Sequence, residues 1–355
     1  MSFSFGNKIK ITLFGQSHSE MMGVVIDNLP SGFCIDEERL AAFMARRAPG
    51  NDEFSTPRKE GDKVCFVSGL VEGKTCGAPL CAIIENTNTR SKDYENLKDV
   101  PRPGHADFAA WAKFGETRDV SGGGQFSGRL TATMCIAGGI FKQLFESQGI
   151  HIGAHIASVG NIYDDLFDSV NVTSKDFVGD KFFPVINDSQ GELMKEEIRN
   201  ARADGDSIGG SIECAICGLP AGLGDTLYGG IESRISSAVF AVPAVKGIEF
   251  GAGFGASKMR GSENNDEFCI REGKIATKTN NHGGILGGIS SGMPIVFRTA
   301  FKPTPSISKL QQSVSLSKGE ETILEIKGRH DPCIVKRAVA CIEAAAAIAM
   351  ADLLI

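Results

Sequence analysis

No apolar run in this sequence reaches the ~18 residues needed to span a bilayer. The nearest approach, Ala338 to Ile355, is interrupted by Glu343 and Asp352. Met1 to Gly6 has no basic segment leading into an apolar stretch, so no signal peptide is expected. Positive charge is not in excess either: 37 Lys and Arg stand against 43 Asp and Glu, a net charge of -6. Duplex-binding proteins need a broad basic surface, so nucleic acid is not an expected partner. The ten cysteines have no framework-like spacing, in a chain too long to need staples. Reduced thiols in a cytoplasmic protein are expected. Ser-rich linkers and breaks in composition are missing too, so a single domain is expected over residues 1–355.

Glycine is abundant. The 43 glycines cluster at Gly122-Gly123-Gly124, Gly138-Gly139, Gly283-Gly284 and Gly287-Gly288, among others. Such clusters make tight turns and close packing, or bring backbone near a ligand where side chains would intrude. Arginines recur beside them. A locally basic pocket in an acidic protein suits a small anionic ligand.

The periodicities predict an α+β chain without strict alternation. Strands are expected at Lys8 to Phe14, Val24 to Asp27, Val64 to Val67, Leu80 to Glu85, Ile150 to Val159, Ser211 to Leu219, Val245 to Phe250 and Ile289 to Ala300. A helix capped by Asp36 should bury Leu40, Phe43 and Met44 and stop before Ala48-Pro49, with Arg46 and Arg47 complementing its dipole. Further helices are expected at Ala106 to Lys113, Leu130 to Ser147, Leu193 to Ala203 and Ile231 to Phe240. A last, buried helix should follow an Asp331 N-cap with Pro332 at its first position.

Several constellations admit a plain structural reading. Cys214 and Cys217 stand three apart in a strand, which points their thiols to opposite faces and disfavours chelation; no metal site is expected. His151 and His155 alternate like core positions and read as structural histidines. Gly122-Gly123-Gly124 is not a dinucleotide fingerprint, because Ser127 stands where the third glycine belongs. A Gly-rich loop opening a helix nevertheless presents free N–H groups to an anion. His18 ends a strand, a place that favours catalytic groups. His105 precedes a helix and reads either as a capping residue or as a functional imidazole. Arg329 and Asp331 are ambiguous in the same way, as surface cation and N-cap or as site residues.

Taken in order, the segments Gly15-Gln16-Ser17-His18, Arg102-Pro103-Gly104-His105-Ala106-Asp107, Gly123-Gly124-Gln125-Phe126-Ser127-Gly128-Arg129, Asn281-His282-Gly283-Gly284 through Ser290, Lys302-Pro303-Thr304 and Gly328-Arg329-His330-Asp331-Pro332-Cys333 closely resemble the chorismate synthases. The resemblance implies a β-α-β sandwich and a homotetramer. It also implies a lyase that turns 5-enolpyruvylshikimate 3-phosphate into chorismate and phosphate with reduced FMN. By the same resemblance, His18, His105 and Asp331 match the catalytic positions. Arg47, Arg102, Ser127, Arg129 and Arg329 match the substrate contacts. Gln125, Phe126, Ser127, Pro243, Ala244, Gly287, Lys302, Pro303, Thr304, Pro305, Ser306 and Arg329 match the flavin contacts. The chain departs from the family pattern at Gln16, Ser19, Gln125-Phe126 and Pro243, and at Glu53, where an arginine is expected and Arg58 is a substitute. A flavin reductase or general flavoprotein, pairing FMN or FAD with NADPH in the same pocket, is the competing reading. A non-catalytic anion-binding protein is another.

Overall fold

The computed structural model describes residues 3–49, 54, 61–86, 97–326 and 331–355. Arg329, Glu53 and Arg58 lie outside the described residues. Among these residues two five-stranded antiparallel sheets enclose a layer of helices. The first sheet contains β1 (Ser4–Phe5), β2 (Lys10–Phe14), β3 (Met21–Asp27), β4 (Cys65–Ser68) and β5 (Leu80–Glu85), in the order β1-β2-β3-β5-β4. The second contains β6 (His151–Val159), β7 (Ile162–Tyr163), β8 (Gly210–Cys217), β9 (Val245–Phe250) and β10 (Ile295–Phe301), in the order β9-β10-β8-β6-β7.

The helices are α1 (Glu37–Arg47), α2 (Asp107–Phe114), α3 (Thr131–Glu146), α4 (Asp188–Ala203), α5 (Ile231–Val239), the single turn α6 (Gly261–Asn264) and α7 (Val335–Leu354). Helix α3 packs on the first sheet, α7 on the second, and α1 on both helices. Helices α3 and α7 are apolar around most of their circumference, which suits only an inner layer. Gly138 lets them meet: a β-carbon there would lie 2.3 Å from the Cα of Ala344. This is the expected α+β, β-α-β architecture. Among the described residues no helix is long and apolar enough to cross a membrane.

Local chemistry sets the boundaries. Asp36 caps α1 by accepting from the Arg39 amide at 2.9 Å, and Leu40, Phe43 and Met44 are buried as their spacing predicts. Strand β2 starts at Lys10 rather than Lys8, because the amides of Asn7, Lys8 and Ile9 donate to the Asp352 carboxylate instead. Helix α4 begins at Asp188, five residues before the expected Leu193. Asn187 caps it, and Gly191 disguises its first turn. The expected extended run Ile289 to Ala300 is broken before Ile295 by Ser291-Gly292-Met293-Pro294, with Gly292 at φ 86°. The last helix starts at Val335, not at Pro332. Asp331 does not cap it. Its carboxylate accepts from Arg337 at 2.9 Å and its carbonyl from the Thr304 hydroxyl at 2.7 Å, which holds the chain off the helical path. In β8, Cys214 joins the main core while Cys217 packs with Phe167 and Val172 on the opposite face.

Candidate active site

Loops from both sheets and the starts of two helices converge on one cavity of about 690 Å³. Among the described residues six cationic side chains line it: Arg47, Arg102, Arg129, Lys246, Lys302 and Arg337. Among the described residues the acidic side chain in its wall is Asp331. This imbalance, in a chain of net charge -6, focuses positive potential on a small volume.

The glycine loop forms one side. Gly122, Gly123 and Gly124 all take positive φ, at 61°, 84° and 53°, a region that costs a side chain dearly. Space is short as well. A β-carbon on Gly122 would lie 2.5 Å from Ser17 Oγ and 2.8 Å from His18 Nε2. One on Gly123 would lie 3.5 Å from His105 Nε2. The loop therefore passes between the two histidines with only backbone between them. The Gly124 carbonyl accepts from the Ser17 amide at 3.2 Å, which ties the loop to the end of β2. Ser127 then caps the turn Gly128–Leu130 by accepting from the Arg129 amide at 3.3 Å.

The arginines are held from behind by carboxylates. Buried Asp62 accepts from Arg47 Nη1 at 2.9 Å and also from Arg129. Arg47 further donates to the Thr131 hydroxyl and the Gly128 carbonyl, each at 3.0 Å. Burying a guanidinium is costly unless its donors are satisfied, and these partners satisfy Arg47. Arg102 grips Asp107 with Nε at 2.7 Å and Nη2 at 2.9 Å, a bidentate fork, and its Nη1 reaches Ser306 Oγ at 3.2 Å. His105 Nδ1 donates to the same Asp107 at 2.6 Å. Burial pushes the Asp107 carboxyl up, but the hydrogen bonds from Arg102 and His105 outweigh it and hold the group well below the ordinary carboxylate range. His105 Nε2 faces the glycine loop and also lies 3.2 Å from Arg102 Nη2.

The opposite wall comes from the segment after β10. Lys302 donates to the Gly104 carbonyl at 2.9 Å. Burial, and then the nearby Lys246 charge, lower its proton affinity. An anion bound between the two ammonium groups would relieve that repulsion. Thr304, Pro305 and Ser306 continue this wall, and Phe126, Val242, Pro243 and Ala244 add an apolar strip.

Most of the residues expected from sequence meet here. Arg47, Arg102, His105, Gln125, Phe126, Ser127, Arg129, Pro243, Ala244, Lys302, Thr304, Pro305, Ser306 and Asp331 line the cavity. His18 stands behind Gly122, and Pro303 lies between two lining residues. Gly287 does not join them. It sits on the exposed turn between Ile285–Leu286 and Ile289–Ser290. Sequence reading missed Asp62, Asp107, Lys246 and Arg337. Asp107 lies inside the segment Arg102 to Asp107, Lys246 inside the expected strand Val245 to Phe250, and Arg337 one turn after Cys333, so position in or beside these segments was the available signal. Asp62 carries none, because it acts through contacts remote in sequence.

The profile of the chorismate synthase family matches residues 9–355. A chorismate synthase of Lancefieldella parvula is 44% identical over 367 residues, covering 100% of this chain and 96% of that protein. One from Dehalococcoides mccartyi is 45% identical over 353 residues, covering 99% and 96%. One from Thermococcus kodakarensis is 42% identical over 347 residues, covering 98% and 96%. A crystal structure of a chorismate synthase aligns with a TM-score of 0.76 at 26% identity, covering 98% of this chain and 92% of that one.

Proposed function

The chain belongs to the chorismate synthase family, and on that premise we propose that it converts 5-enolpyruvylshikimate 3-phosphate into chorismate and inorganic phosphate, with reduced FMN as cofactor. The reaction is a 1,4-anti elimination. A C–H bond and the C–O bond to phosphate break at opposite ends of an allylic unit, and a second ring double bond forms without net redox change. The observation that carries the proposal is the single cavity in which Arg102, Arg129 and His105 meet.

The substrate bears a phosphate and two carboxylates. Guanidinium forks bind such groups through paired, charge-assisted hydrogen bonds. Charge grows on the phosphate as its C–O bond breaks, so arginines fixed in advance by Asp62 and Asp107 act most strongly in the transition state. In this proposal Arg47, Arg102, Ser127, Arg129 and Arg329 hold the substrate. His105 exchanges its proton at Nε2, with Asp107 fixing the ring. His18 manages a proton on the far side of the glycine loop. Asp331 lies on the path that removes the ring proton, and Arg337 orients it.

The cavity's donors fit an anionic flavin. Lys302, Thr304 and Ser306 offer an ammonium and two hydroxyls suited to its phosphate, Phe126, Pro243 and Ala244 an apolar wall, and the glycine loop backbone without side chains. When bound, reduced FMN supplies electron density to the allylic system. Gly287 is exposed, so as a flavin contact it would act across a subunit interface of the proposed homotetramer. The proposed location is the cytoplasm.

The test is an anaerobic assay of the purified protein with substrate, with and without chemically reduced FMN. Chorismate and phosphate are expected only with reduced FMN. NADPH with oxidised FMN and no other reductant is expected to give neither product, and product formation under those conditions would favour the flavin reductase reading.

A further inference from the structure

Strands β9 and β10 deliver two lysines to the cavity where their pairing becomes irregular. Val245 pairs with Phe301, and both side chains are buried in the core. Lys246 and Lys302 each follow one of this pair, so their side chains leave the opposite face, and both line the cavity. The register then shifts, with Gly247 opposite Ala300, which makes Lys246 the extra residue of a β-bulge. A bulge re-aims a side chain that regular pairing would hold in the ladder. The two segments are tied together at this point. The Lys302 amide donates to the Ala244 carbonyl at 3.0 Å, and Ala244 holds a left-handed φ of 74°. Diagonal neighbours across an antiparallel pair lie about 7–8 Å apart, within reach of long side chains. We infer that Lys246 and Lys302 close on the flavin phosphate as a clamp of two ammonium groups, and that Lys246 selects a phosphorylated flavin in its dianionic form. The inference rests on the flavin-dependent function proposed above.

Charge balance points to a dianion. Asp62 backs Arg47 and Arg129, Asp107 backs Arg102, and Asp331 pairs with Arg337. Among the described residues neither lysine has a carboxylate partner. An ammonium group has three N–H donors. Lys302 uses one of them on the Gly104 carbonyl, at 2.9 Å, and Lys246 is exposed. Ser306 Oγ accepts from Arg102 and keeps its own proton to donate. After burial, the Lys246 charge is what lowers the proton affinity of Lys302. A carboxylate would balance one ammonium. A phosphate monoester, which gains its second negative charge above about pH 6, balances both. The position of the apolar strip favours the flavin phosphate over that of the substrate. Pro243 and Ala244 run directly into Val245-Lys246, so a ring seated on the strip carries its phosphate tail beside the lysines. The substrate has guanidinium partners of its own in Arg47, Arg102 and Arg129.

The test is calorimetric titration of the purified full-length protein with oxidised FMN and with riboflavin, in the presence of 5-enolpyruvylshikimate 3-phosphate. Oxidised flavin keeps binding separate from turnover. Lys246→Met should weaken FMN binding by about 10- to 100-fold, the range for a hydrogen bond to a charged group, and leave riboflavin binding unchanged. Lys246→Arg should keep most of the FMN affinity. The ratio of FMN affinities between the unaltered protein and Lys246→Met should shrink from about pH 7.5 to about pH 5.5, as the phosphate loses its second charge. Equal losses for both flavins, or a ratio independent of pH, would overturn the inference. So would a raised KM for the substrate with FMN affinity unchanged, which would put the clamp on the substrate phosphate. An unaltered protein that binds neither flavin would refute the proposed function as well, whereas one that binds FMN and riboflavin equally would refute the clamp alone.

Discussion

Gly122 stands directly against His18: a β-carbon on the glycine would fall 2.8 Å from the imidazole Nε2 and 2.5 Å from Ser17 Oγ. With φ at 61°, the position combines backbone strain and collision for any other residue. Gly122→Ala should displace the His18 ring and lower kcat by about 100-fold, the loss expected from a misplacement of roughly 1 Å. Gly261→Ala, where nothing lies within 4 Å, is the control and should leave kcat unchanged. Steady-state kinetics of the two variants decide the matter, and equal activities would mean that the loop does not position His18.

Asp107 fixes both Arg102 and His105. Asp107→Asn should lower kcat by about 100-fold through loss of the His105 orientation, with a smaller change in KM. The Asp107 pKa is held well below the ordinary range, so this group is ionised throughout neutral pH and contributes no limb of its own to the pH–rate profile. Steady-state kinetics of the variant check this, and a raised KM with kcat unchanged would contradict the role.

Much of the architecture was legible in the sequence because it depends on local rules. The Asp36 cap, the 2.0 and 3.6 periodicities and the Ala48-Pro49 stop act over a few residues, and the structure follows them. Failures came where a remote partner overrode a local signal. Asp331 looks like an N-cap beside Pro332, but Arg337 and Thr304 claim it. Lys8 and Ile9 look like the start of a strand, but Asp352, some 344 residues from Lys8, takes their amides. The site divides in the same way. Motif residues could be named in advance, whereas Asp62, which joins Arg47 to Arg129, is visible only once the chain is folded.

Glu343 lies in the middle of α7, almost fully buried, and accepts from Arg46 and Lys142 and from the Ala154 amide. Burial raises its pKa, but the two cations outweigh this and bring it from 4.5 down to about 2. A depressed folded pKa stabilises the native state above the unfolded value. That contribution is lost as pH falls through the folded one. Glu343→Gln should cost about 3–5 kcal/mol at neutral pH, and the gap from the unaltered protein should narrow between pH 4.5 and about 2. Denaturant titrations across that range measure it, and a gap that stays constant would contradict the assignment.

His155 presents the opposite sign. Completely buried, it bridges Glu213 at 3.0 Å and Asp164 at 3.2 Å. Asp164 in turn accepts from the amides of Ile186 and Asn187, so the bridge pins the segment leading into α4 against the second sheet. Burial lowers the His155 pKa, but Asp164 and Glu213 outweigh it and raise the value above the ordinary 6.5. Its stabilisation is complete below the unfolded pKa and declines as pH rises through the folded one. His155→Gln should therefore lose about 3 kcal/mol at pH 5.5 and less at higher pH, read from denaturant midpoints. A loss that grows with pH would show that the imidazole is neutral in the folded protein.

The most direct test of the account is an anaerobic single turnover with enzyme, reduced FMN and 5-enolpyruvylshikimate 3-phosphate in equal amounts, following chorismate, phosphate and flavin absorbance together. Chorismate and phosphate should appear in equal quantity and at equal rates, with the flavin fully reduced at the end and both products absent in Arg129→Ala. Flavin oxidised in step with product, or phosphate released without chorismate, would contradict a redox-neutral elimination in this cationic cavity.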